Sequence, residues 1–203
     1  SDFASNHFAP HQPARNALLQ QGISNNNIFV VGNIVFDAVA ETITDIYRSP
    51  CNNLASIQML VTVHRRENIG NRLECIIEAI RNLVELHPEL RVIIVLHPNP
   101  QVSTTFINEL SNLSRVTLLS PQPYHDFLSL MVNSDLILTD SGGVSEEASL
   151  LGIPLFIARE TTERKYLLDK DNVFLTGTET SNVQNLISNF LLYQKNNLQE
   201  NNK

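Results

Sequence analysis

From Gln58 onward, six short apolar runs are joined, with one exception, by segments whose apolar residues recur at helical spacing. The runs are 59–63, 91–96, 116–119, 136–139, 154–157 and 173–175. Between them, Leu73, Ile76, Ile77, Ile80, Leu83 and Val84 share one helical face, as do Phe106, Ile107 and Leu110, and Phe127, Leu128, Leu130 and Met131. A closing helix carries Val183, Leu186, Ile187, Phe190 and Leu191. The exception is the fifth connection, which begins as a polar loop from Arg159 to Lys165. Strands that are apolar on both faces and joined by helices form a parallel sheet covered on both sides. The expected fold is therefore α/β, a doubly wound parallel six-stranded Rossmann-like sheet. In the common 3-2-1-4-5-6 order the first and fourth strands are neighbours whose connections leave on opposite faces, and ligands bind at the crevice over their C-terminal ends.

Two loops rich in chemistry lie at those ends. His64-Arg65-Arg66-Glu67-Asn68 follows the first strand, and Asp140-Ser141-Gly142-Gly143 follows the fourth and opens a helix. A helix N-terminus offers unpaired N–H groups and partial positive charge. Gly142 and Gly143 leave the backbone open to a phosphate, and Ser141 adds a hydroxyl donor. Glycine turns between strands and helices are common, and it is the convergence of both loops on one crevice that favours an anion site. His64, aimed at a diphosphate, can donate a hydrogen bond or a proton as charge builds on a leaving group. Arg65 or Arg66 is expected to pair with Glu67 or another carboxylate. Glu146 and Glu147 lie about 100° apart on the helix, so one of the two faces the crevice and can accept from ribose hydroxyls. Phe127 fits a core position more readily than a base-stacking one, and His97, before Pro98-Asn99-Pro100, is ambiguous. Thr161-Thr162-Glu163-Arg164 adds a donor-rich loop after the fifth strand. No GxGxxG fingerprint or P-loop is present, which leaves nicotinamide or ATP binding without support.

The N-terminal part reads differently. Phe3, Phe8, Pro10 and Pro13 punctuate it, a helical pattern runs from Ala14 to Gln21, and Gly22 closes that pattern. A short strand begins at Ile28, and Gly32-Asn33 caps a helix bearing Ile34, Val35, Ala38, Val39, Ile43 and Ile46. A polar linker spans 50–56, so a domain boundary is expected near residue 30 or near residue 50. The expected organisation is 1–30 as the end of a preceding domain with its linker, 31–193 as the ligand-binding domain, and 194–203 as a polar tail that frays. The chain starts at Ser1 without an initiator methionine and reads as a processed or excised piece of something longer. A formal charge of −7 and the absence of a large Lys/Arg cluster argue against a nucleic-acid partner. Cys51 and Cys75 make no CxxC pair, so a metal or redox motif is not expected, and a reducing, cytoplasmic setting is. No apolar run approaches membrane-spanning length.

The sequence resembles the UDP-N-acetylglucosamine 2-epimerases, specifically the non-hydrolysing bacterial type. The resemblance rests on Val61-Thr-Val-His-Arg-Arg-Glu-Asn68, His97-Pro-Asn-Pro100, Leu138-Thr-Asp-Ser-Gly-Gly-Val-Ser-Glu-Glu147, Gly152-Ile-Pro154 and Thr161-Thr-Glu-Arg164. Asn6-His-Phe-Ala-Pro10 and Val31-Gly-Asn33 resemble the family's passage from its first to its second domain. It implies a C-terminal, UDP-binding domain that forms one half of a glycosyltransferase-B-type two-domain fold. It further implies that Ser141, Gly142 and Gly143 hold the diphosphate, Glu147 the ribose, and Gln122 and Phe127 the uracil side. His64, in a catalytic role, and Arg164 would lie near the phosphates and sugar. Arg65, Arg66 and His97 are implied at an allosteric substrate site. The implied reaction interconverts UDP-GlcNAc and UDP-ManNAc for surface polysaccharides by eliminating UDP and re-adding it with C2 inverted. No redox cofactor or metal is implied, and the full-length protein is expected as a homodimer.

Two departures stand out. The family's first domain, with the acids that move the C2 proton, is almost wholly outside this sequence, so the chain alone is expected to lack turnover. Lys165-Tyr166 replaces the usual proline and glutamate, and the family's final crossing helix is not evident. A hydrolysing epimerase, a glycosyltransferase of the same architecture, and a non-enzymatic nucleotide-sugar-binding module remain as alternatives.

Overall fold

The structure, a computed structural model, describes residues 4–46 and 56–200, with side chains to 196. The expected linker at 50–56 falls largely outside the described residues, as does Cys51; Cys75 is a half-buried free thiol. The chain divides into two compact units, Ser1–Thr44 and Asp45–Lys203. The division thus falls after the helix that follows Asn33, whereas residue 30 had placed that helix in the second domain.

In the first unit, β1 (His7–Ala9) pairs in parallel with β2 (Ile28–Val30), and α1 (Gln12–Gln20) connects them. The pairing of β1 is not evident in the sequence, where three residues beside a proline carry no periodic signal. Asn33 caps α2 (Ile34–Ile43) as expected, its side chain accepting from the Val35 amide at 3.2 Å.

The second unit is the doubly wound sheet. It runs β3 (Ile57–Thr62), α3 (Asn71–Leu86), β4 (Leu90–Val95), α4 (Pro100–Leu110), β5 (Val116–Leu119), α5 (Tyr124–Val132), β6 (Leu136–Thr139), α6 (Gly142–Leu150), β7 (Leu155–Ile157), β8 (Val173–Leu175) and α7 (Thr180–Glu200). The strand order is β5-β4-β3-β6-β7-β8 and every pairing is parallel, the order the apolar runs predict. One core cluster joins Met59 and Val61 of β3 to Ile76, Ile80 and Leu83 of α3, Phe106 and Leu110 of α4, and Val183, Ile187 and Leu191 of α7. Phe156 packs with Phe174 and Phe190, at centroid distances of 4.9 and 5.5 Å, and extends this core toward the β8 edge. Helix α7 runs to Glu200, so residues 194–200 of the polar segment expected to fray continue the helix, and the rest of that segment lies outside the described residues. Docking of α7 on α3 is reinforced where His87 Nε2 meets Ser188 Oγ at 2.9 Å. No helix among the described residues is long and apolar enough to cross a membrane.

Candidate functional site

The register Thr62↔Thr139 brings the C-terminal ends of β3 and β6 together, and Asp140 is the next residue along β6. Its side chain is completely buried. A buried carboxylate survives only where several donors replace its water. Asp140 has three: the amide of His64 reaches both oxygens at 3.0 Å, and Oδ2 also accepts from the Arg65 amide at 2.8 Å and from Asn68 Nδ2 at 2.8 Å. Buried Asn68 donates in addition to the carbonyl of Ala158, just past β7, at 3.1 Å. One carboxylate thus ties together the exits of three adjacent strands. Sequence reasoning quoted Asp140 without assigning it this role. The signal was its place at the end of a wholly buried strand, where a charge demands partners.

The same anchor orients His64. Its Nδ1 lies 3.8 Å from Asp140 Oδ1, and its ring stacks on His97 with centroids 4.8 Å apart and planes 10° from parallel. His97 Nδ1 accepts from the Asn99 amide at 3.0 Å, which leaves its proton on Nε2 in the neutral ring. Burial lowers the pKa of His64; the Asp140 charge opposes this, while His97 and Arg65 add to it. The His87 imidazole is lowered as well, chiefly by burial.

Both histidines take up protons less readily in the folded chain than in the unfolded one. Below about pH 6.5 the unfolded state binds more protons, so stability rises with pH in that window and is lost as pH falls through it. The melting temperature is expected to drop by about 3 °C between pH 7.5 and 5.5, equivalent to about 1 kcal/mol for a chain of this length. A melting temperature that holds constant or rises on acidification would contradict this linkage.

Helix α6 begins at Gly142 with Ser141 as its N-cap residue. The Ser141 amide is taken by Thr139 Oγ1 at 3.0 Å, and the first intrahelical bond runs from Ser145 N to Ser141 O. Among the described residues, no protein acceptor engages the amides of Gly142 and Gly143. The two glycines are not equivalent. A Cβ at Gly143 would meet nothing within 4 Å, whereas one at Gly142 would lie 2.2 Å from Arg164 Nη1 and 2.5 Å from its Cζ. The missing side chain of Gly142 thus makes room for a guanidinium, where the sequence suggested open access to the backbone. Glu146 and Glu147 lie beyond the first turn of α6, where the helix dipole has little hold on them.

Arg164 is gripped on two sides. Its Nε donates to Glu146 Oε1 at 2.8 Å, an oxygen that also accepts from the Tyr166 hydroxyl at 2.8 Å. Its Nη1 donates to Glu163 Oε1 at 2.6 Å. Glu163 in turn takes Arg159 Nη1 at 2.6 Å and Arg65 Nη2 at 3.3 Å. Burial works to raise the Glu163 pKa, but its own backbone amide, Arg159 and Arg65 outweigh it and hold the carboxyl at about 2. Arg159 Nε reaches Glu67 at 3.1 Å, and Arg65 stands 3.9 Å from the same carboxylate. Arg66 points to solvent, with no ion pair to the described residues. The sequence offered Glu146 only as one of two helix carboxylates, and Arg159 and Glu163 only as members of a polar loop, because their partnerships are tertiary.

Glu147 is half-buried and its pKa is raised by that burial; the Tyr124 phenol works against the rise and Glu146 adds to it. Tyr124, at the start of α5, is pushed up to about 12 by burial and by Glu147. This pair brings the 122–127 segment beside α6. Gln122 Nε2 donates to the Ser120 carbonyl at 2.7 Å, and Phe127 is half-buried outside the core cluster. His64, Arg65, His97, Ser141, Gly142, Gly143, Glu147 and Arg164 therefore gather on one edge of the sheet, with Gln122 and Phe127 on the segment alongside. Among the described residues, no three His, Cys, Asp or Glu side chains group as metal ligands.

A family model described as UDP-N-acetylglucosamine 2-epimerase matches residues 1–203. The chain belongs to this family. A UDP-N-acetylglucosamine 2-epimerase of Yersinia pestis is 37% identical over 196 residues, covering 91% of this chain and 52% of the relative. That of Bacillus subtilis is 37% identical over 187 residues, covering 91% and 49%. Among solved structures, UDP-GlcNAc 2-epimerase from Neisseria meningitidis bound to UDP-GlcNAc superposes with a TM-score of 0.87 at 34% identity, covering 95% of this chain and 54% of that one. The Methanocaldococcus jannaschii epimerase in complex with UDP-GlcNAc and UDP gives 0.81 at 32% identity, with 93% and 54% covered. The chain spans about half the length of these epimerases.

Proposed function

We propose that this chain is the UDP-binding half of a UDP-N-acetylglucosamine 2-epimerase with a two-domain glycosyltransferase-B-type architecture. The observation that carries the reading is the pairing of acceptor-less amides at Gly142 and Gly143 with the Arg164 guanidinium. Helix N-terminus and cation together suit a diphosphate. In this reading Ser141, Gly142, Gly143 and Arg164 hold the diphosphate, Glu147 accepts from the ribose, and Gln122 and Phe127 face the uracil. Glu147, presently beside the Tyr124 phenol, would exchange that contact for ribose hydroxyls. A neutral His64, held by Asp140 and stacked on His97, donates toward the phosphate as the C1–O bond breaks and charge develops on departing UDP. Arg65, Arg66 and His97 lie on or next to the loops leaving β3 and β4, where a second molecule of substrate could act.

The second unit, with the doubly wound sheet, supplies this binding function, and the C2 proton is moved by acids of the other half of the protein. The whole enzyme is read as a cytoplasmic homodimer that works on UDP-GlcNAc in polysaccharide synthesis, with no nucleic-acid partner. Titration calorimetry of the 203-residue chain with UDP is expected to give saturable heat, with Kd on the order of 100 µM. NMR of UDP-GlcNAc mixed with the chain alone should show no conversion at C2. Adding the missing half in trans should restore conversion to UDP-ManNAc. A flat calorimetric trace from a folded sample overturns the proposal.

A further inference from the structure

Glu146 has no place in the nucleotide assignments above, yet it is one of the two carboxylates that hold Arg164. Only one edge of the guanidinium reaches Glu146: Nε donates to Oε1 at 2.8 Å, Nη1 is occupied by Glu163 at 2.6 Å, and Nη2 has no acceptor among the described residues. A Cβ built on Gly142 would lie 2.2 Å from Nη1, 2.5 Å from Cζ and 3.1 Å from Nη2, so the guanidinium, with this uncommitted donor, lies against the first residue of α6. Left to itself a cation avoids a helix N-terminus, because the dipole there is positive. Two carboxylates hold it in place, one from the loop and one from the helix itself. Glu146 side-chain exposure is 13%, against 51% for Glu163, so the helix carboxylate is the less solvent-screened of the two.

Tyr166 completes the arrangement. Its hydroxyl shares Glu146 Oε1 with Arg164, and the short 3₁₀ turn from Lys165 to Leu167 brings it there. A phenol donor on a carboxylate restricts its rotation while leaving its charge for the guanidinium.

We infer that Glu146 is a positioning residue for diphosphate recognition, holding the Arg164 guanidinium against the N-terminus of α6, and that Tyr166 steadies Glu146 in this chain. The inference rests on the UDP-binding reading, and the experiment separates the two. UDP affinity of the 203-residue chain is measured by calorimetry for the parent, Glu146→Gln, Tyr166→Phe, Arg164→Lys and the Glu146→Gln/Arg164→Lys double variant, with thermal melting to establish folding. Glu146→Gln should weaken UDP about 10-fold and Tyr166→Phe about 3-fold. In the Arg164→Lys background, Glu146→Gln should add almost nothing, because the geometry it guards is already gone. A purely structural Glu146 would weaken binding equally in both backgrounds, and that additivity overturns the inference. So does unchanged affinity in Glu146→Gln while the parent binds UDP. If the folded parent itself fails to bind UDP, the nucleotide reading falls first and the inference with it.

Discussion

Gly142→Ala is expected to leave the chain folded and at least as stable as the parent while weakening UDP binding 30-fold or more. The two halves of this expectation come from different physics. Gly142 is the first residue of α6 and does not have a positive φ, so alanine fits its backbone. Replacing glycine in a helix by alanine favours the helix by up to about 1 kcal/mol, less in the first turn. The obstacle is the 2.2 Å approach to Arg164 Nη1. That atom is the far end of a flexible side chain, and the guanidinium will swing away at small cost instead of forcing the backbone apart. Binding then loses a cation, which must leave its place between Glu146 and Glu163, and the added methyl narrows access to the adjacent amides. A charge-assisted hydrogen bond to a diphosphate is worth about 2 kcal/mol, which is the 30-fold loss. Calorimetry and a melting curve on the same sample test both halves. Gly143→Ala is the comparison, since a methyl there meets nothing within 4 Å and leaves Arg164 in place. Equal UDP affinity in Gly142→Ala and the parent would show that Arg164 plays no part in holding the nucleotide.

The strand order was legible from the sequence because every strand from β3 to β8 is apolar on both faces, and such runs belong only in a covered parallel sheet. One helix start was legible for a similarly local reason: Asn33 caps α2, accepting from the amide two residues on. Which loops would meet also followed from topology. The contents of their meeting did not. Arg164 could be placed near a phosphate only through a family resemblance, and nothing in its spacing showed that it would fill the vacancy left by Gly142. Glu163 stands beside Arg164 in sequence and gathers Arg65, which is 98 residues away. Such contacts depend on the relative heights of loops above a sheet, a tertiary property to which 3.6- and 2-residue periods are blind. The end of α7 failed for the opposite reason. Polar composition from Gln194 onward suggests a frayed tail, but a helix already docked by Val183, Ile187 and Leu191 extends at little further cost, because its nucleus is formed.

Asp140→Ala is expected to have the largest effect on stability, about 3–5 kcal/mol, or a melting temperature lower by about 10 °C. Truncation leaves the amides of His64 and Arg65 and the Asn68 carboxamide without their shared acceptor in a site closed to water. Orphaned buried donors cost about 1–3 kcal/mol apiece, and the three losses overlap because the loop can relax once it is released. Asp140→Asn separates charge from shape. It keeps one acceptor oxygen but turns an amine toward donors, so it should lose about half as much stability. The His64 imidazole, followed by NMR titration, reports what happens to the loop. Asp140 opposes the burial that lowers this pKa. If the loop holds its position in Asp140→Asn, loss of the carboxylate charge sends the His64 pKa lower still. If the loop comes free in Asp140→Ala, the ring regains water and titrates near 6.5. Opposite shifts in the two variants are the expected result. A melting temperature within a degree or two of the parent in Asp140→Ala, with an unmoved His64 titration, would mean that the β3 and β6 loops are held together by something other than this carboxylate.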